Sequence, residues 1–423
     1  MTILRRRFLT AGGLGLLSLP QITRAQEQNG TQHKAVINVF LGGGPPHQDM
    51  WDIKEKAPSE IRGEFSPIST SIPGVQIGEC FPKIAAMFDK FTAIRSVNGC
   101  EGSHDAYQCV SGWGRKDKVS GSTYPGMGSV ASKVLGPTHI SVPACVGLTG
   151  DTAHKPWSES GSAGYLGDQH RPFKPNGDMM DNLKPNIDAS RLKERKRLLN
   201  QVGINSLQID ASIFTEESFS VLNSSKLVDA LDVSKEDPKI RAKYGTGKPF
   251  KYQYDGAPTD NENLLIARRL VEAGVRSVTL TYGRWDSHGA NFDLVRDHGS
   301  KLDQCVSALV DDLDEKGMLD DVLVVVWGEF GRTPKINKGA GRDHWPQVSC
   351  ALLAGGGFNH GQTIGETNKF GEVPAERPVH MQEICGLMYI GLGIDPETTT
   401  IIDNTGRPQY LLEHRMPIKE LVG

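Results

Sequence analysis

A chain of 423 residues with 38% hydrophobic and 23% charged residues carries enough apolar material for one large core or two to three ordinary ones. The formal net charge of −3 gives no sign of nucleic acid as a partner, because that function usually shows a basic patch or domain. The 48 glycines point to many tight turns and loops.

The chain opens with "RRRFLTAGGLGLLSLPQITRAQ". An arginine cluster (Arg5, Arg6, Arg7) precedes an apolar run at 8–19, and "TRA" follows. This is the pattern of a signal peptide cut after Ala25. The run is shorter than the roughly 20 residues that cross a bilayer, so no transmembrane segment is expected in the mature protein. The arginines resemble a twin-arginine signal, which the twin-arginine export machinery reads on proteins already folded; an ordinary secretory signal is the alternative. The expectation is a bacterial protein exported to the periplasm or beyond. Cleavage also removes four arginines, Arg24 being the fourth, and no acid, which makes the mature chain more negative.

Residues 35–41, "AVINVFL", form a short apolar run that stops at three glycines, and this spacing predicts a buried strand with a tight turn at its carboxyl end. "FPKIAAMFDKFTAIRSV" predicts a helix and then a strand, and "NGCEGSHDAYQCVSGWGRK" a loop entering a helix. Residues 114–258 are rich in Gly, Pro, Asp and Lys, with one clear helix at 189–202 and a weaker one near 218–231. That region reads as an insertion or cap within a single domain spanning 26–423. Regular alternation returns with an amphipathic helix ended by Gly274, the strand "VRSVTLTY" and a second amphipathic helix ended by Gly317. A strand at 322–327, the strand "VSCALLAGGG" and a closing helix, "HMQEICGLMYIGLG", complete the series. Continuous apolar strands alternating with helices predict an α/β fold: a mostly parallel sheet covered on both faces.

The seven cysteines (Cys80, Cys100, Cys109, Cys145, Cys305, Cys350, Cys385) show no CxxC pair. Their odd number leaves at least one thiol unpaired. They read as small buried hydrophobes, with a Cys100–Cys109 disulfide as an unfavoured option.

In an open α/β sheet, ligands bind beyond the carboxyl ends of the strands. After the first strand come His47, Asp49 and Asp52; after "VRSVTLTY" come Asp286 and His288; after "VLVVVW" come Glu329 and Arg332. Asp343 and His344 precede "VSCALL" and must reach that edge through their loop. Imidazole nitrogen with carboxylate oxygen suits a divalent metal rather than a thiolate site. Zn stands first, with Mn, Fe or Ca as alternatives, and five to seven such ligands can hold two ions about 4 Å apart. Taken singly each residue has a plainer reading: Asp343 can start a turn, and Glu329 with Arg332 can form a structural ion pair. The functional reading gives Glu329 to a metal and Arg332 to an anionic substrate oxygen, which its planar fork suits. In "CEGSHDAY", Ser103 and His104 are the catalytic candidates, at a helix start that favours an anion, although a helix cap is the ordinary role of such a serine. "FLGGGPPH" lacks GxGxxG and "AGGGFNHG" lacks the P-loop lysine, so no nucleotide cofactor is expected.

Six stretches, "GGGPPHQDMWDIKEKAPSEIRGEFSPISTSIPG", "GYLGDQHRPF", "WDSHGANF", "VVVWGEFGRTPKIN", "GRDHWPQ" and "LLAGGGFNHGQTIGET", resemble the domain of unknown function 1501 family, in its order and over nearly the whole mature chain. That family is grouped with the alkaline phosphatase and sulfatase superfamily. The resemblance implies an alkaline phosphatase-like three-layer α/β/α sandwich. It makes Asp286, His288 and His344 similar to one metal's ligands, and Glu329 with His47 or Asp49 similar to a second metal's. The sequence departs from better-known members in three places. Glycine stands where an Asp ends the first strand. Glu329-Phe330 replaces an Asp-His pair. The nucleophile motif Cys-x-Pro-Ser-Arg falls on "CEGSH", Cys100 to His104. The implied function is an exported metal-dependent hydrolase of phosphate or sulfate esters, its anionic ester substrate a sulfated or phosphorylated glycan by analogy. The alternative is a non-catalytic protein on the same fold that binds a glycan or an envelope partner.

Overall fold

Eight apolar runs pair into one central sheet in a computed structural model that describes residues 33–150, 152–175, 225–248 and 255–423. The expected signal segment and the expected helix at 189–202 lie outside the described residues. The strands are β1 (Ala35–Phe40), β2 (Phe91–Asn98), β3 (Cys145–Leu148), β4 (Ser277–Thr281), β5 (Val322–Trp327), β6 (Ser349–Gly355), β7 (Gln362–Ile364) and β8 (Val379–His380). Their order is β7-β2-β6-β5-β1-β4-β3, with β8 also on β2. Every pairing is parallel except those of β6, which runs against both β2 and β5.

Side chains alternate between two apolar layers, as the two-residue period of a strand requires. Ile37 and Val39 of β1, Val324 and Val326 of β5 and Leu352 of β6 face one layer. That layer is covered by α2 (Glu262–Glu272) and α3 (Asn291–Glu315). Leu302, Val306, Leu309 and Leu313 recur along α3 at helical spacing and are fully buried, each such burial stabilising the fold by about 1.5–3 kcal/mol. Val36 and Phe40, Leu323 and Val325, and Leu353 face the opposite layer, under α1 (Met127–Leu135) and α4 (Met381–Gly391). The expected three-layer α/β/α arrangement with a mostly parallel sheet is the one observed. Gly274 and Gly317 adopt positive φ just beyond α2 and α3, ending the helices as the sequence predicts.

Two expectations need amending. The run "VSCALLAGGG" is a strand, but its direction is opposite to its neighbours'. Gly355 pairs opposite Leu323 at the start of β5, and Ala351 pairs opposite Trp327 at its end. The residues that precede β6 therefore arrive directly at the edge where the parallel strands finish. In addition, the described part of 114–258, read as an insertion or cap, supplies the edge strand β3 and the helix α1 to the sheet itself. Of the weak helix at 218–231, the described part is helical over Ser225–Leu231. All seven cysteines are free, five of them buried.

Candidate metal centre

The ends of β1 and β4 stay hydrogen-bonded after the strands stop. Tyr282 N donates to Phe40 O (2.8 Å) and Trp285 N to Gly42 O (2.7 Å). This carries Asp286 alongside Gly43, whose φ is +108° and whose added Cβ would lie 2.4 Å from Asp286 N. Only glycine fits there, which is the physical reason why glycine, not a ligand, ends the first strand. After β5 the chain forms a small antiparallel hairpin, Gly331–Arg332 against His344–Trp345, which returns it to β6. The hairpin delivers His344 to the same edge. The loop after β2 delivers His104.

Four side chains converge. One ligand atom from each of His104, Asp286, His288 and His344 lies within 4.8 Å of all the others. Asp286 Oδ1 stands 3.4 Å from His104 Nε2, 3.1 Å from His288 Nε2 and 3.4 Å from His344 Nε2. His288 Nε2 and His344 Nε2 are 3.1 Å apart. Tetrahedral zinc with bonds of about 2.0–2.1 Å has ligand atoms roughly 3.4 Å from one another; the separations at Asp286 and between His288 and His344 match that, and the whole group lies within 4.8 Å, close enough for one ion. Three imidazoles and one carboxylate fit Zn, Mn or Fe(II). They do not fit Ca, which takes oxygen ligands.

The charges are arranged around Asp286. Burial alone would raise its carboxyl, but hydrogen bonds from His104 and His344 and the charge of Arg332 hold it far below the usual carboxylate range. Burial likewise lowers the His104 imidazole, yet its bonds to Asp286 and Glu329 push it up to about 9. The carboxylates that would draw a cation thus draw a proton to the same place. Trp157 and Phe330 wall the site: the ring of His104 lies 4.8 Å from Trp157 and 5.3 Å from Phe330, and that of His344 lies 4.7 Å from Phe330.

Not every expected ligand joins the cage. Asp286, His288 and His344 do, and so does His104, which the sequence marked as catalytic. Glu329 is buried and accepts from Gly43 N (2.9 Å), Trp157 Nε1 (3.0 Å) and His104 Nδ1 (3.1 Å), so it grips His104 from behind rather than facing an ion. Asp343 accepts from His288 Nδ1 at 2.7 Å on the outer side. His47 and Asp49 belong elsewhere. His47 is fully buried with Nε2 on Gly371 O (2.9 Å), and Asp49 is gripped by Arg342 Nε (2.7 Å) and Nη2 (3.0 Å) and by Asn291 Nδ2 (2.8 Å). Asp52 pairs with Lys54 at 3.0 Å. A second ion at Glu329 with His47 or Asp49 is therefore not supported; among the described residues one group with ligand geometry is found.

Arg332 is also reassigned. It is fully buried and donates to the carbonyls of Gly43, Gly44 (3.0 Å) and Arg342 (3.0 Å) and to Asp286 Oδ1. Its fork fixes the loop and the carboxylate, not a substrate oxygen. Ser103 is exposed and caps no helix; the helix that follows, Tyr107–Ser111, has only five residues, and Asp105 Oδ1 accepts from its Tyr107 N (2.9 Å). Three contributors were missed. Arg284 donates to Asp286 Oδ2 (3.1 Å) and stands in the very stretch, "GRWDSH", that marked the site; the strand-end rule applied two residues earlier would have included it. Trp157 lies in a short 3-10 segment, Lys155–Ser158, and His154, with Nε2 on His104 O (2.8 Å), immediately precedes it, in the Gly- and Pro-rich region where no periodicity signals them.

Fold and site together define an α/β protein whose sheet edge brings together ligand-type side chains that could hold a metal ion. The chain belongs to the family described as protein of unknown function DUF1501, whose model matches residues 33–422. No curated protein matches it. Among solved structures, a sulfatase from Pseudoalteromonas sp. is 13% identical with a TM-score of 0.37, over 90% of this chain and 72% of that one. The alkaline phosphatase from the Antarctic bacterium TAB5 is 10% identical with a TM-score of 0.36, over 86% and 98%. A phosphonate monoester hydrolase from Silicibacter pomeroyi is 10% identical with a TM-score of 0.30, over 86% and 73%. At these scores the likeness says nothing of activity, and the reading of the site stands on its own geometry.

Proposed function

We propose that the protein binds one divalent metal ion through His104, Asp286, His288 and His344 and is a hydrolase of phosphate or sulfate esters. The observation that carries the metal is the pair of imidazole nitrogens 3.1 Å apart, both directed at the one carboxylate oxygen. Two imidazole lone pairs at that distance repel unless a proton or a cation lies between them. A divalent ion held there would polarise the ester oxygen as a Lewis acid.

The chain's own residues do the rest. Arg332 and Arg284 hold the two oxygens of Asp286 in place. Trp157 and Phe330 exclude water from one side of the site. Ser103, exposed one residue before His104, is the hydroxyl available as a nucleophile; water is the alternative. The export reading also stays part of the proposal. It rests on the pattern of residues 1–25, and no helix among the described residues is long and apolar enough to cross a membrane.

The test is elemental analysis of purified protein, followed by a panel of nitrophenyl phosphate and sulfate esters and sulfated glycans. One ion per chain with turnover on an ester is expected. Metal without turnover on any of them would favour the second reading, a glycan- or envelope-binding protein, which has one observation behind it: Arg332 is fully engaged by the protein itself.

A further inference from the structure

Two of the carboxylates near the cage touch it only from outside, and the way they do so is specific. Glu329 Oε1 lies 3.1 Å from His104 Nδ1, and Asp343 Oδ1 lies 2.7 Å from His288 Nδ1. In each case the far nitrogen of an imidazole faces a carboxylate while its Nε2 faces Asp286 Oδ1. A carboxylate at Nδ1 keeps the proton on that nitrogen, so an ion that displaces the proton from Nε2 finds the lone pair there, inside the cage, on a ring made a better donor. The two carboxylates differ in surroundings. Glu329 is 1% exposed and is itself oriented by Gly43 N and the Trp157 indole. Asp343 has a side chain 54% exposed on the hairpin loop, steadied by Asn337 Nδ2 at 3.3 Å. His344 is placed differently, by the pairing of its backbone with Arg332 and by the Phe330 ring.

We infer that Glu329 and Asp343 are positioning residues for the metal: each fixes the tautomer and aim of one ligating imidazole, and buried Glu329 is the stronger determinant of how tightly the ion is held. This rests on the metal reading above and deepens it, because it assigns two residues of the expected ligand set to the regulation of affinity rather than to coordination. Water screens the exposed Asp343–His288 contact, whereas the buried Glu329–His104 contact acts unscreened. Loss of an outer partner of a ligating histidine weakens binding by about 10- to 100-fold. The exposed arm belongs near the lower end of that range and the buried arm near the upper.

The experiment is a zinc titration of the full-length protein in competition with a chromophoric chelator, for wild type, Glu329→Gln and Asp343→Asn. The visible spectrum of each Co(II)-loaded protein is recorded alongside, and circular dichroism serves as the check of folding. Both variants are expected to bind one ion, with affinity about 100-fold weaker for E329Q and about 10-fold weaker for D343N, and with shifted Co(II) bands. Unchanged affinity and spectra in both variants overturn the inference, and so does D343N weakening binding more than E329Q. A folded E329Q that binds no ion makes Glu329 a ligand and also overturns it. If E329Q does not fold, Asp343→Asn, a change on an exposed loop, decides the matter alone. A wild type that binds no divalent ion removes the metal reading itself, an outcome separate from wild-type binding with unaffected variants.

Discussion

The guanidinium of Arg332 meets three backbone carbonyls and Asp286 in a fully buried place. Truncation to alanine strands a buried carboxylate and three acceptors, and breaking a buried pair from one side costs about 3–5 kcal/mol. Arg332→Ala is thus expected to show a large loss in urea unfolding, together with weakened metal binding; a stable variant altered only in KM would restore the substrate-binding role. Asp286→Ala and His344→Ala, made separately, should each abolish stoichiometric metal in elemental analysis while leaving the sheet intact by circular dichroism. His47 makes a different prediction. Burial, only partly offset by Asp52, lowers its imidazole from 6.5 to about 4. The unfolded chain therefore takes up a proton between those values that the folded one does not. Stability held above pH 6.5 should decline as pH falls toward 4, by up to about 3 kcal/mol from this residue. His47→Gln should flatten that part of the curve in urea melts at stepped pH; an unaltered slope would show that His47 contributes nothing. Which side chains belong near the site was readable as residue types at strand ends. Which of them joins the cage was not, because Glu329 and Asp286 differ only in what surrounds them once the chain has folded.

At the scale of elements, the site depends on strand ends that continue to pair. Gly43 sits between β1 and Asp286 with no room for a Cβ. Gly43→Ala should cost about 1–3 kcal/mol in backbone strain alone and displace Asp286 as well. A drop in metal affinity is expected although residue 43 has no side chain to coordinate; wild-type affinity in G43A would contradict this account of how Asp286 is placed. The apolar runs of β1, β4 and β5 were plain from composition, and so were their glycine exits. The direction of β6 was not, since "VSCALLAG" is equally apolar read either way and only the hairpin before it decides the sense. The edge strand β3 escaped notice for a related reason: four residues, Cys145–Leu148, among turn formers carry too little periodicity to register.

Across the whole molecule, the cage joins three segments widely separated in the chain: residue 104, residues 286–288 and residue 344. An ion bound only by the folded state stabilises it by about 2.7 kcal/mol at a hundredfold excess over its dissociation constant. Chelation should accordingly lower the melting temperature, and re-addition of zinc should restore it, while Asp286→Ala melts alike with and without metal. The most direct measurement is anomalous X-ray diffraction at the zinc edge on crystals of the metal-loaded protein. One peak per chain, enclosed by His104, Asp286, His288 and His344, is the predicted result. A peak beside His47 and Asp49, or two peaks, or none within the cage, would contradict it.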